Sequence, residues 1–165
     1  MIVLVLGGAR SGKSAVAERL AARLSGGDPV VYLATANATD ADMAERIAEH
    51  RARRPPTWHT VEAGPDLVGA LRRWPGTALV DALGTWLARS PHLAGDGRAL
   101  CAALVERPGD AVVVSEEVGL GVHPSTDVGC RFRDALGEAN QAVAAVADEV
   151  VLVVAGRVLR LDRVW

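Results

Sequence analysis

Ile2-Val3-Leu4-Val5-Leu6-Gly7-Gly8-Ala9-Arg10-Ser11-Gly12-Lys13-Ser14 is the stretch whose reading decides the fold. Its first five residues form a continuous apolar run with β-branched members, as expected of a strand buried on both faces of a parallel sheet. Residues 7–14 then satisfy G-x-x-x-x-G-K-[ST] between that strand and a helical segment, the context that defines a P-loop. The glycines let the backbone curl so that successive N–H groups face phosphate oxygens, and the helix N-terminus adds its positive end. Lys13 supplies a point charge to the β- and γ-phosphates of a nucleoside triphosphate, ATP or GTP, and Ser14 a hydroxyl ligand for Mg²⁺. Lys13 is also the only lysine of the chain, the other basic residues being arginine.

Outward from this motif, Ser14 to Leu24 has helical spacing and Ser25-Gly26-Gly27-Asp28-Pro29 closes it. Val30 to Ala34 reads as a second strand. Thr39-x-x-Asp42 resembles a capping box that opens a helix running to about Arg54, where Pro55-Pro56 ends it. Residues 58–62 have β character, 66–74 form a short helix, and 77–80 form a core strand ending on Asp81. A helix over 97–107, a strand over 111–115 and a long helix over 127–147 follow. The chain closes with 150–154, a turn at Ala155-Gly156-Arg157, and 158–161, spaced as an antiparallel hairpin. Apolar strands alternating with helices predict an α/β fold, a mostly parallel sheet flanked by helices, in one domain over residues 1–165. Ligands of such sheets bind beyond the carboxyl ends of the strands, where polar residues after successive strands converge.

Composition narrows the chemistry further. Half of the 165 residues are hydrophobic and the formal charge is −2, so nothing points to nucleic acid or an anionic membrane as partner. Cys101 and Cys130 lack metal-ligand spacing, and no stretch is long enough to span a membrane, so a cytoplasmic protein is expected. Asp81 stands where a Walker-B aspartate would hold Mg²⁺, with Glu116 and Glu117 as rival carboxylates at the same edge. Met43, Ile47 and His50 fall at i, i+4 and i+7, with Arg46, Arg51, Arg53 and Arg54 close by. Like-charge repulsion would favour the neutral imidazole of His50, which suits a nucleophile, and the arginines could hold phosphate oxygens. His59, His92 and His123 have no such setting. No Asn-Lys-x-Asp guanine motif exists, since the single lysine is in the P-loop.

Together these landmarks resemble the bifunctional adenosylcobinamide kinase / adenosylcobinamide-phosphate guanylyltransferases. The resemblance rests on residues 7–14, Tyr32-Leu33-Ala34-Thr35-Ala36, Met43-x-x-Arg46-Ile47-x-x-His50-Arg51 and Arg54-Pro55-x-x-Trp58-x-Thr60-x-Glu62. Glu117-Val118-Gly119-x-Gly121, Arg131-Phe132-Arg133-Asp134, Asn140-Gln141 and Ala147-Asp148-Glu149-Val150 extend it to the whole chain. It implies a RecA-like P-loop NTPase fold and two reactions, phosphorylation of adenosylcobinamide and transfer of GMP from GTP to the resulting phosphate. It also implies a covalent GMP-histidine at His50, a corrinoid as the small-molecule partner, and a homotrimer. The implied nucleotide contacts are Gly7, Gly8, Ala9, Arg10, Ser11, Gly12, Lys13, Ser14, Ala34, Thr35, Ala36, Arg51, Ala52, Arg53, Arg54, Glu62 and Asp81. The implied catalytic residues are Lys13 and His50, and the implied Mg²⁺ ligands Ser14 and Asp81. One departure stands beside the site: the usual Ser-Asn-Glu-Val-Gly reads Ser115-Glu116-Glu117-Val118-Gly119 here. A P-loop small-molecule kinase without guanylyl transfer and a nucleotide-dependent regulatory protein remain the other readings of the same residues.

Overall fold

A computed structural model describes residues 1–36, 48, 52 and 54–163. The first strand, β1 (Ile2–Gly7), is buried along its whole length and runs between two parallel neighbours. This explains its unbroken apolar character: Ile2, Leu4 and Leu6 face one layer while Val3 and Val5 face the other. The remaining strands are β2 (Val31–Ala34), β3 (His59–Glu62), β4 (Ala78–Asp81), β5 (Ala111–Glu116), β6 (Glu149–Val154) and β7 (Arg157–Arg160). They form one sheet in the order β3-β2-β4-β5-β1-β6-β7, parallel except for the β6–β7 hairpin. The exposed β3 closes one edge, and β7, exposed throughout, closes the other.

Helix α1 (Lys13–Leu24) places Val16, Ala17 and Ala21 on the Val3/Val5 face of the sheet. On the opposite face lie α2 (Leu67–Arg73), α3 (Leu83–Arg89), α4 (Gly97–Glu106) and α5 (Asp127–Val146). Asp66 and Asp96 cap α2 and α4, and Thr126 caps α5, each accepting from a backbone N–H three residues on. The predicted segments match these elements to within a residue or two, and α3 is an addition. The helix expected from Thr39 to about Arg54 lies almost wholly outside the described residues, of which Ala48 and Ala52 are helical.

Register fixes where the site must lie. Ala34 pairs with both Glu62 and Asp81, Asp81 pairs with Val114, and Gly7 pairs with Glu116. The carboxyl ends of β3, β2, β4, β5 and β1 therefore form one rim, and the P-loop follows directly from β1. No helix among the described residues is long and apolar enough to cross a membrane.

Candidate active site

The P-loop is built from two close approaches and two left-handed residues. A Cβ on Gly7 would lie 2.9 Å from the Val153 carbonyl oxygen, so only glycine lets β1 turn out beside β6. Arg10 has φ 54° and Gly12 φ 90°. The hairpin turn supports the loop from outside, Gly156 N–H donating to the Ser11 carbonyl at 2.8 Å. Lys13, the first residue of α1, is buried; its Nζ donates to the Gly8 carbonyl at 3.3 Å and lies 3.9 Å from Glu116 Oε1. Ser11 Oγ is buried with no hydrogen-bond partner among the described residues, and no side chain caps α1 there. A polar hydroxyl so placed, beside an uncapped helix start and an ammonium, fits a phosphate.

Two carboxylates end neighbouring strands at this rim, and one of them stands opposite the lysine. Glu116, last residue of β5, accepts from the Gly84 N–H of α3 at 3.1 Å through Oε2. Burial raises its pKa above the ordinary value, Lys13 opposes that shift, and the negative charge of Asp81 adds to it. Asp81 ends β4 and accepts a short hydrogen bond from the Tyr32 hydroxyl. Tyr32 is buried, and the Arg54 guanidinium lies 3.3 Å from its ring centroid while donating to Thr60 Oγ1 at 3.0 Å. Of the two rival glutamates, Glu116 faces the lysine. Glu117 turns into its own loop and accepts from Gly119 N–H at 2.8 Å.

The segment after β2 is held from below. Thr35 Oγ1 donates to the Ala82 carbonyl at 2.7 Å, accepts from Ala82 N–H at 2.9 Å and meets the Thr85 hydroxyl. Its side chain is thus engaged inside the protein, tying the end of β2 to the end of β4. Arg89 donates to the Thr35 carbonyl at 2.8 Å from the end of α3. Ala34 and Ala36 flank Thr35 at the rim, and Glu62 is exposed at the end of β3. Ala52 is exposed. His50, Arg51 and Arg53 lie outside the described residues.

The rim thus brings together Gly7 to Ser14, Ala34 to Ala36, Glu62 and Asp81, with Arg54 reaching it through Tyr32. Sequence reasoning passed over three residues that shape it. Tyr32 is the only tyrosine in the chain, and a buried phenol requires a partner for its hydroxyl, which is a readable signal. Gly84 and Arg89 belong to α3, whose Leu83, Trp86 and Leu87 carry a short i, i+3, i+4 pattern. Among the described residues no three His, Cys, Asp or Glu side chains gather to hold a metal by themselves. The oxygen donors present, the Ser14 hydroxyl and the Asp81 carboxylate, suit a Mg²⁺ ion that takes its other ligands from phosphate and water.

Comparison with known proteins agrees with this geometry. A KaiC-like protein from the hyperthermophilic archaeon Pyrococcus horikoshii OT3 superposes with a TM-score of 0.55 at 14% identity, covering 92% of this chain and 71% of the other. An ATPase from the type III secretion system of pathogenic bacteria gives 0.53 at 10% identity over 92% and 50%. At these identities the likeness establishes the P-loop NTPase fold and nothing finer. Sequence relatives are nearer. The bifunctional adenosylcobalamin biosynthesis protein CobP of Pseudomonas aeruginosa is 45% identical over 93% of this chain and 92% of its own length. CobU of Escherichia coli K12, described in the same words, is 35% identical over 94% and 97%. Residues 3–161 match the family described as cobinamide kinase / cobinamide phosphate guanyltransferase. On the strength of that match and of relatives aligned over nearly their full lengths, this chain belongs to the cobinamide kinase / cobinamide phosphate guanyltransferase family.

Proposed function

We propose that this chain phosphorylates the alcohol of adenosylcobinamide with a nucleoside triphosphate, then transfers GMP from GTP to adenosylcobinamide phosphate by way of a covalent GMP–His50. The products of the second reaction are adenosyl-GDP-cobinamide and pyrophosphate. The observation that carries the reading is the rim itself: a P-loop whose buried Lys13 faces Glu116 at the end of β5, with Asp81 ending the neighbouring β4, in a chain of this family. Lys13 neutralises the charge that builds on the phosphates as a bond to phosphorus breaks, and the P-loop amides hold those phosphates in line. Ser14 and Asp81 would hold Mg²⁺, which supplies further charge neutralisation when bound. Tyr32 orients Asp81 for that task by donating to one of its carboxylate oxygens.

His50 attacking the α-phosphorus would release pyrophosphate, and the incoming substrate phosphate would then displace the imidazole. One difficult displacement becomes two in-line steps. The nucleotide contacts drawn from the family, residues 7–14, Ala34 to Ala36, Arg51 to Arg54, Glu62 and Asp81, belong to the same proposal. So do the single domain over residues 1–165, a homotrimer and a cytoplasmic setting.

The two half-reactions are separable by label. With γ-³²P-nucleotide and adenosylcobinamide, label is expected on the corrinoid; with α-³²P-GTP and adenosylcobinamide phosphate, label is again expected on the corrinoid. His50→Ala is expected to keep the first and lose the second. Loss of both, or of neither, contradicts the division of labour proposed here.

A further inference from the structure

Lys13, the residue that phosphate requires, has an anionic neighbour of its own. Its Nζ donates to the Gly8 carbonyl at 3.3 Å and lies 3.9 Å from Glu116 Oε1, with both side chains mostly buried. Glu116 ends β5 beside Gly7, where the P-loop begins, so its carboxylate stands next to the loop that must receive the triphosphate. Three elements hold it there. β1 pairs with β5 up to this residue, Gly84 N–H of α3 donates to Oε2 at 3.1 Å, and Asn140 Nδ2 of α5 donates to the Glu116 backbone carbonyl at 3.1 Å. A Cβ at position 84 would collide with that same carboxylate, so the group is packed against α3 and has little room to swing aside. Asp81 ends the next strand and adds its negative charge to the same rim. Position 116 is also where this chain departs from the family's usual asparagine, a neutral side chain one methylene shorter.

A carboxylate fixed at this distance acts on phosphate binding in two ways, and both have the same sign. It attracts the ammonium that the β- and γ-phosphates need, and it repels the phosphates themselves. Partial burial leaves both effects less screened than they would be in open solvent. Resting on the nucleotide-binding part of the reading above, we infer that Glu116 is an affinity-determining residue of this P-loop. It is a resident anion that competes with nucleotide phosphate for Lys13, and it holds triphosphate affinity below that of the same loop without the charge. It acts through Lys13 and through its own charge, without touching the reacting atoms.

Removing the charge should therefore improve binding, an outcome that damage to the fold does not produce. Glu116→Gln keeps the side chain's length and an oxygen that can accept from Gly84 N–H, while Glu116→Asn supplies the family's usual residue. Thermal melting checks that both variants fold. The Kd for α,β-methylene-GTP is then measured by titration calorimetry with Mg²⁺ at about pH 8, well above the ordinary carboxylate range. The carbon bridge of this analogue blocks the α–β cleavage that guanylyl transfer requires, so binding is read without turnover. Both variants are expected to bind it about tenfold more tightly than wild type, or better. Unchanged binding in the two variants overturns the inference, and so does weaker binding, which would make the carboxylate a net support for the metal–nucleotide. Tightening in only one of them overturns it as well, since loss of the charge is common to both. A wild-type chain that does not bind the analogue at all overturns the nucleotide-binding reading, and the inference with it.

Discussion

Tyr32 illustrates how single residues set the site. Its hydroxyl is buried against Asp81, and burial first, then the Asp81 charge, holds the phenol protonated far above its ordinary pKa of 10.0. A raised pKa in the folded state means that this contribution to stability is complete below pH 10 and is lost as pH rises beyond it. Because the chain has one tyrosine, phenolate absorbance should stay absent above pH 10 until the protein unfolds; early, reversible ionisation would contradict the placement. Lys13 is the other decisive residue. Lys13→Ala should weaken GTP binding by at least about tenfold and abolish both transfers, measured by titration calorimetry and the label assays. The P-loop was readable because its chemistry needs fixed residue types at fixed spacing. Which residues Tyr32 and Glu116 would meet was not, since their partners Asp81 and Lys13 lie some fifty and a hundred residues away in sequence.

At the scale of elements, strands were the most legible parts. Apolar runs such as Val112-Val113-Val114 are buried on both faces, and that burial leaves a direct mark on composition. Helix α3 was hidden because seven residues carry only two turns of pattern, and Gly84 near its start is a poor helix former. Tertiary burial of Leu83, Trp86 and Leu87 makes it helical. Two glycines test this view. Gly137→Ala, in open space within α5, should raise stability by about 0.5–1 kcal/mol in thermal melts without altering activity. Gly84→Ala should instead lower stability by about 1–3 kcal/mol in the same melts, because the new methyl collides with the Glu116 carboxylate. Equal behaviour of the two variants would deny Gly84 its special role.

The whole molecule is a sheet that delivers its chemistry to one rim. α/β topology made that rim foreseeable, since the residues ending β1, β2, β4 and β5 must converge once the strands are parallel. What the rim would contain was harder to read, because β2, β4 and β5 become neighbours only through pairing between distant segments. A ligand bound there should stabilise the entire domain. At a hundred times its Kd, GTP should add about 2.7 kcal/mol, a rise in melting temperature of roughly 5–10 °C, and Lys13→Ala should remove the shift.

The central claim is that this rim works with His50 to capture GMP covalently. The most direct measurement is to incubate the protein with α-³²P-GTP and Mg²⁺, denature it, digest it and map the label by mass spectrometry. The account predicts acid-labile, base-stable GMP on the peptide containing His50, absent in His50→Ala and retained in His59→Ala. An unlabelled wild-type chain, or label that persists in His50→Ala, would contradict it.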